Sequence, residues 1–436
     1  MRALVLLFGF VACSNAQQKQ VATDPQTLFL QARQKIVYTL QQLPKYLCTE
    51  TIERTTFRPD LTRPMSNSCA AATKAKLRKA TSDRLRLDVA VSNSGEMYSW
   101  AGESRFDDRS LAELAGHGAT LTGTFSAFLV AIFETDAATF HYHGKVEDDG
   151  RELIEFSYRV PVERSTYKIG SEANHAIVGY EGTFQIDPNS SDLARLIIRT
   201  DQFPKAINGL CEFETTLTYA PVKIKDSEFQ LPKDSQLKVK VYDGSESANR
   251  TVFSGCHEFV GESTLRFDAL PEDSKARPRN IADMALHLSA GIRLTLVLTQ
   301  PIDTGTAAAG DTFKGLLTSE INDTETGIVI PKGAAVTGRV LQLERRYLPN
   351  LQNLTVGLTL ETIEWQGVAA PFAATLQSLA KSRGKHAELS LPTHVFGDSG
   401  ETATPGSPLI EFNNVNSRYV VKSGVEFTAV TIGPRH

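Results

Sequence analysis

The chain has 436 residues, 41% of them hydrophobic and 22% charged, with 46 Lys plus Arg against 50 Asp plus Glu. That composition argues against a disordered chain, and a formal net charge of -4 argues against a nucleic-acid partner, which would demand a basic face. At this length two or three domains are expected rather than one core.

Residues 1–16 carry the parts of a secretory signal: Arg2, the apolar run ALVLLFGFV, then small residues. The run is too short to span a bilayer, and no later segment approaches eighteen apolar residues. An exported mature chain without a transmembrane helix is expected, in the periplasm, at the outer membrane or secreted. Two cuts are open. Phe10-Val11-Ala12-Cys13 fits a permissive lipobox, which would leave a lipidated Cys13 on a membrane surface, with Ser14 favouring the outer membrane. Ser14-Asn15-Ala16 fits simple cleavage before Gln17.

Residues 24–43 read as a helix. Asp24 caps it, Pro25 takes the first position, and Phe29, Ala32, Ile36, Val37, Leu40 and Leu43 form one apolar face before Pro44. Strands follow. In RLRLDVAV (84–91), Leu85, Leu87, Val89 and Val91 share one face, and 151–160, 176–186, 193–200 and 211–222 keep the period of two. Turn residues at 147–150, 187–191 and 242–247 separate these runs. The pattern is that of an antiparallel sheet or open barrel. One apolar, glycine-punctuated insert, 110–133, interrupts it and reads as two helices broken at 116–118, or as a helix, a mobile loop and a second helix.

The segment 269–280 is rich in proline and charge and reads as a linker, with a short helix after it. From about Ser289 the chain is strand-like again, with 377–391 and 397–417 read as exposed loops and alternation returning at 419–432. The expected fold is mainly β. An antiparallel half-barrel (17–268) carries an N-terminal helix and a helical insert. A linker (269–288) leads to a β-barrel-like part (289–436). The signal occupies 1–16, or 1–12 in a lipoprotein.

Without Cys13, four cysteines remain: Cys48, Cys69, Cys211 and Cys256. An even count in an exported chain points to disulfides. Of three pairings, Cys48–Cys69 and Cys211–Cys256 are favoured, each tying neighbouring strands. The alternative is four buried thiols.

Chemistry is sparse. His141 and His143 flank Tyr142 with both imidazoles on one strand side, but only Glu147 or Asp148 offers a third ligand, and a solvated strand face, with Phe140 and Tyr142 packed inward, accounts for them. Cys256 and His257 point to opposite strand faces and cannot activate each other. Ser382 and Lys385 match a bare S-x-x-K spacing in a polar loop. Asp107-Asp108 and Asp148-Asp149 sit in turn-like stretches. Sequons at Asn189, Asn249, Asn322 and Asn353 matter only in a glycosylating host. No HExxH, GxSxG, P-loop or GxGxxG is present. No catalytic residue, metal or cofactor is therefore expected, and the chain reads as a non-enzyme. A hydrolase site assembled only in three dimensions is the weakest alternative.

The order LTQPIDTGTAAAGDTFKGLLTSEI followed by GIVIPKGAAVTGRVLQL resembles the barrel domain of the TrbI/VirB-type scaffold proteins of conjugation and type IV secretion. That resemblance spans roughly 290–375 and implies an export-side barrel without catalytic residues. Pro331 and Gly333 set a turn there, and Gly338 allows a close crossing or bulge. The N-terminal order of helix, strands and insert is similar to the LolA/LolB-like lipoprotein-carrier fold, which implies a concave face that holds acyl chains. On that reading Leu121, Phe125, Phe128, Leu129, Ile132 and Phe133 line a site for a lipid or lipoprotein acyl chain; on the plainer one they complete a core. The function expected is apolar-ligand or envelope-partner binding. The alternative is a structural or assembly scaffold in an envelope complex.

Overall fold

The computed structural model describes residues 24–60, 68–92, 95–103, 106, 109–116, 118–170, 174–200, 202–204, 207, 209–259, 288–379, 387–390 and 409–432. The signal segment with Cys13, Asp107, Asp108, Ser382, Lys385 and nearly all of the expected linker lie outside them.

Helix α1 (Pro25–Gln42) forms where expected. Asp24 accepts the Thr27 amide at 3.0 Å and Pro25 opens the first turn, so the two N-terminal signals act together. Its buried stripe is Leu28, Ala32 and Ile36, with Phe29 and Leu40 packed at the margin. The expected stripe lacked Leu28, and Val37 is only half-buried.

The first half of the chain makes β1 (Tyr46–Pro59), β2 (Leu77–Ser92), β3 (Gly95–Trp100), β4 (Thr139–Asp148), β5 (Arg151–Val160), β6 (Lys168–Gly170) and β7 (His175–Ile177). It continues with β8 (Tyr180–Ile186), β9 (Leu193–Thr200), β10 (Leu210–Ile224), β11 (Ser227–Val241) and β12 (Glu246–Glu258). Pairing runs β3–β2–β1–β12–β11–β10–β9–β8–β5–β4, antiparallel throughout. β4 and β3 are its ends, so this is an open sheet, and α1 lies on the buried face of β5 and β8. The run expected at 176–186 is broken between β7 and β8, and β7 pairs with β6 instead of the large sheet.

The second half forms β13 (Arg293–Leu298), β14 (Ile302–Asp303), β15 (Thr312–Leu317), β16 (Ile321–Asp323), β17 (Ile328–Ile330) and β18 (Ala335–Tyr347). Then come β19 (Gln352–Trp365), β20 (Val368–Leu379), β21 (Ala387–Ser390), β22 (Leu409–Phe412), β23 (Val420–Val421) and β24 (Glu426–Thr431). The ladder β13–β15–β18–β19–β20–β24 returns to β13 and closes a barrel. Leu296, Val336, Leu358, Ile363, Ala374 and Phe427 fill it. Gly338 sits at a crossing: a Cβ there would lie 2.3 Å from the Thr359 carbonyl oxygen and 2.4 Å from the Phe313 ring. The segments 377–391 and 397–417, expected as loops, correct in part to strand. β21 and β22 pair with each other, and β22 also pairs with β19, whose edge supplies the partner that the short segments lack alone.

Asp323 fastens the start of the barrel. It accepts the Ser289 amide at 2.7 Å, the Ser289 hydroxyl at 3.0 Å and the amides of Glu325 and Thr326. These donors, the Ser289 amide first, hold its carboxyl well below the usual carboxylate range. A folded pKa below the unfolded one stabilises above the unfolded value and loses that contribution as pH falls. Wild type is therefore expected to lose stability progressively from about pH 4 downward, and Asp323→Asn to lack that increment, in urea titrations across pH 2–7.

The cysteine pairing departs from the expected one. Cys48 bonds Cys256 and Cys69 bonds Cys211. β12 returns beside β1, with Leu47 opposite His257 and Thr49 opposite Ser254 across a register shift. Cys48 thus meets a residue 208 positions away and not its sequence neighbour. Cys69 opens α2 (Cys69–Ala72), which packs at the start of β10, where Cys211 lies.

Candidate functional site

The buried face of the N-terminal sheet carries an aromatic floor. Phe156 and Phe184 stack at 5.4 Å on neighbouring strands. Phe29 of α1 sits over Phe140 at 4.8 Å and Phe156 at 5.6 Å. Tyr158, Tyr167 and Tyr180 extend the floor toward Phe213. Period-two alternation on β5 and β8 puts Phe156, Tyr158, Tyr180 and Phe184 on one side. Burial pushes the Tyr167 hydroxyl up sharply, and that of Tyr180 up to about 12.

The roof is α1 together with the insert. The insert is α3 (Leu111–Ala115), an irregular stretch, then α4 (Ala127–Leu129) running into a π-helical turn, Val130–Glu134. Ser110 and Glu113 form a capping box that starts α3. Gly116, Gly118 and Gly123 all adopt positive φ, which ends α3 and turns the chain back. α1 is tied to the insert by Arg33, whose Nε donates to the Phe133 carbonyl at 2.7 Å. Lys35 ties α1 to the β8–β9 turn through Asp192 at 2.6 Å.

Of the six residues expected to line a ligand site, Phe128, Leu129, Ile132 and Phe133 are buried against the aromatic floor. Leu121 packs there while half-buried. Phe125 faces away, edge-on to Tyr46 at 5.7 Å and Phe253 at 4.8 Å, in a second cluster with Val89 and Trp100. The structure thus brings five of them to one surface and the sixth to its neighbour. Sequence reasoning missed the floor itself, although the aromatic residues in RELIEFSYRV and GYEGTF alternate in register with the apolar ones.

Three sheet side chains hold the irregular stretch by its backbone. Arg54 Nη2 donates to the Ala115 carbonyl at 2.9 Å, and Asn249 Nδ2 to that of Ala119 at 2.6 Å. Glu96 accepts the amides of Gly123 at 2.6 Å and Phe125 at 3.1 Å, and the Tyr98 hydroxyl at 2.5 Å. Arg54 is itself paired with Asp83. Beside Glu96 a cleft of about 480 Å³ opens between β3 and the insert, with Tyr98, Leu111, Thr122 and Ser126 in its wall. Behind it lies Glu50, 2% exposed, whose carboxyl is pushed well up by burial and then by the charge of Glu96.

The remaining sequence candidates scatter. His141, Tyr142 and His143 are exposed on edge strand β4, and no group of three or more metal-ligating side chains occurs among the described residues. Cys256 is bonded, and the His257 ring lies 2.8 Å from the Gly255 carbonyl. Asp148 pairs with Arg195, and Asp149 occupies a turn at φ 49°. Asn249 is buried by its bond to Ala119, so the folded chain has no room for a glycan there.

No family model matches the chain. No curated protein matches it. Among solved structures, it is similar to a Vibrio parahaemolyticus domain provisionally described as an outer membrane lipoprotein-sorting protein. The TM-score is 0.27 at 10% identity, over 54% of this chain and 94% of that one. A DUF1329 family protein from Desulfovibrio piger gives 0.26 at 11% identity, over 55% and 96%. The Mycobacterium tuberculosis lipoprotein LppX gives 0.21 at 10%, over 55% and 100%.

Proposed function

We propose that this is an exported, noncatalytic bacterial envelope protein whose N-terminal half binds the acyl chain of a lipid or lipoprotein. The observation that carries the reading is the aromatic floor under a roof of one helix and a glycine-hinged insert. The roof packs on the floor through Leu28, Ala32, Ile36, Phe128, Ile132 and Phe133, and its short, irregular part, the insert, opens locally at less cost than the sheet beneath it. Displacing it uncovers Phe29, Phe140, Phe156 and Phe184 together with Phe128 and Phe133, an apolar surface of the kind that takes a hydrocarbon chain. The π-helical turn at Val130–Glu134 sits at the contact with α1, where such irregular turns commonly serve binding. The two disulfides support export.

The test is a titration of the mature chain with N-phenyl-1-naphthylamine, followed by displacement with sixteen-carbon lipids, and native mass spectrometry of protein purified without detergent. Saturable binding of one dye per chain, displaced by lipid, is expected. A chain that binds neither dye nor any lipid of neutral, acidic and phospholipid type is not a carrier.

A further inference from the structure

The β18–β19 hairpin turns through Tyr347-Leu348-Pro349-Asn350-Leu351. The Leu348 amide donates to the Leu351 carbonyl at 2.9 Å, which sets the two leucines opposite each other across the turn. They are 43% and 39% exposed, and Pro349 and Asn350 between them are exposed too. Turn positions ordinarily go to Gly, Pro, Asn, Asp or Ser. A pair of leucines held together at a tip adds nothing to the barrel core and calls for another reason.

The tip does not stand alone. β18 runs beside β2, pairing Glu344, Arg345 and Arg346 with Asp83, Ser82 and Thr81. Beyond Arg346 that direction carries the tip toward the far end of the β1–β2 ribbon. The Tyr347 hydroxyl lies 3.0 Å from that of Ser82, and Lys79 Nζ sits 4.5 Å from the centre of the Tyr347 ring. Past Phe57 β1 has left β12 and pairs with β2 alone. There Arg58 stands directly opposite Arg78, an arrangement of like charges that destabilises an antiparallel pair. Arg58, Lys76, Arg78 and Lys79 are all exposed, and none has an acid within ion-pair distance among the described residues. Lys145, Arg199 and Lys225, also exposed, each have one. The acids at this end are Asp60 on the ribbon, Glu344, which faces Arg346 at 3.9 Å, and Glu411, which accepts the Asn353 side chain at 3.1 Å. Asp83 is paired with Arg54, and Glu246, opposite Phe57, already faces Lys238 and Lys240. The cations outnumber the acids left over, in a chain whose formal net charge is -4.

We propose that this end of the molecule, an apolar hairpin tip beside the cationic end of the β1–β2 ribbon, docks the protein on an anionic phospholipid surface. Leu348 and Leu351 enter the edge of the acyl region, the Tyr347 ring lies at headgroup level, and Arg58, Lys76, Arg78 and Lys79 meet the phosphates. Interfacial binding sums apolar area and charge, so a small tip and a few cations bind together where either alone is weak. A nucleic-acid backbone would use the cations and leave the leucines in water. The surface shares no residue with the aromatic floor, so it goes beyond the acyl-chain reading and does not depend on it.

The experiment is co-sedimentation of the mature chain, without any acyl modification, with vesicles of phosphatidylcholine alone or with about 30% phosphatidylglycerol, in about 0.1 M salt. Wild type is expected to partition at least about a hundredfold better onto the anionic vesicles, and to lose that preference in about 1 M salt. Arg58→Gln with Arg78→Gln is expected to cost about thirtyfold there, at about 1 kcal/mol per cation. Its melting temperature should hold or rise, because two opposed like charges go. Leu348→Ser with Leu351→Ser should cost about tenfold on the same vesicles and leave the melting temperature unchanged. Neither variant should alter binding of N-phenyl-1-naphthylamine. Absence of vesicle binding, binding that ignores phosphatidylglycerol, or a leucine variant that binds like wild type would overturn the proposal. So would a DNA duplex or polyphosphate bound as tightly as the anionic vesicles, which would make the cations a general polyanion site. Each of these failures leaves the carrier reading to its own dye and lipid titration.

Discussion

Arg339→Met is expected to cost the fold about 3 kcal/mol, the low end of the penalty for breaking a buried ion pair, because Arg339 is buried while its partner Glu361 keeps some solvent. Arg339 is 4% exposed on β18. Its Nε and Nη2 form a fork on Glu361 at 2.7 and 3.1 Å. Its Nη1 donates to the carbonyls of Gly310 at 2.7 Å and Ala101 at 3.0 Å. Ala101 follows β3 in the N-terminal sheet, whereas Gly310 and Glu361 belong to the barrel, so one guanidinium joins both. The seam it occupies is continuous. The Arg86 amide donates to the Ala309 carbonyl at 2.7 Å and the Ala309 amide to that of Arg84 at 2.8 Å. Arg86 pairs with Asp311, and β18 reaches beyond the barrel to pair Glu344 with Asp83 on β2. Gly310 is fixed by the same approach, since a Cβ there would lie 2.1 Å from the Arg86 carbonyl oxygen. Two results are expected from calorimetry of the variant: a lower first transition, and separation of one transition into two. Arg339→Lys should recover little, because an ammonium cannot fork onto a carboxylate and reach two carbonyls at once. A variant that melts as one unit within a degree of wild type would show that Arg339 does not couple the halves.

This seam explains where sequence reading stopped. Strands such as RLRLDVAV were legible because their alternation is local: Leu85, Leu87, Val89 and Val91 are all buried on one face. The helix over Pro25–Gln42 was legible for the same reason, its cap and its stripe lying within eighteen residues. What could not be read was anything set by contacts far apart in the chain. GTAAAGD reads as a loop between strands, yet its Ala309 bridges Leu85 across more than two hundred residues. Glu96, on a short strand next to turn residues, carries no sign that it will accept the amides of Gly123 and Phe125. The insert showed its apolar character but not its direction, so Phe125 was grouped with Phe128 and Phe133 although a turn at Gly123 sends it to the Tyr46 side. The aromatic floor was present in the alternation of β5 and β8, but alternation says that residues share a face and not what covers it.

The cysteines give the sharpest case, and the second large effect. Cys48→Ala with Cys256→Ala is expected to lower stability by about 2–5 kcal/mol, and Cys69→Ala with Cys211→Ala by less. Loop length does not separate the two pairs. Their separations of 208 and 142 residues differ by only about 0.3 kcal/mol of closure entropy, because that cost grows as the logarithm of length. Surroundings do separate them. Cys48 is fully buried beside Tyr46 and Val89, where β1 and β12 shift register between Leu47 and Thr49. Losing that bond leaves a cavity at the irregular point of a central ladder. Cys69 is exposed at the start of the four-residue α2, whose loss leaves the sheet intact. Urea midpoints of the two double variants should therefore differ, with the m-value of the Cys69–Cys211 variant close to that of wild type. Under mild reductant the order of cleavage follows the same exposure: native protein should lose the 69–211 link first and keep 48–256 until it unfolds. A non-reducing peptide map that instead joined 48 to 69 would place β12 elsewhere than beside β1. It would remove Phe253 and Asn249 from the wall that holds the insert, and with them the geometry on which the site rests.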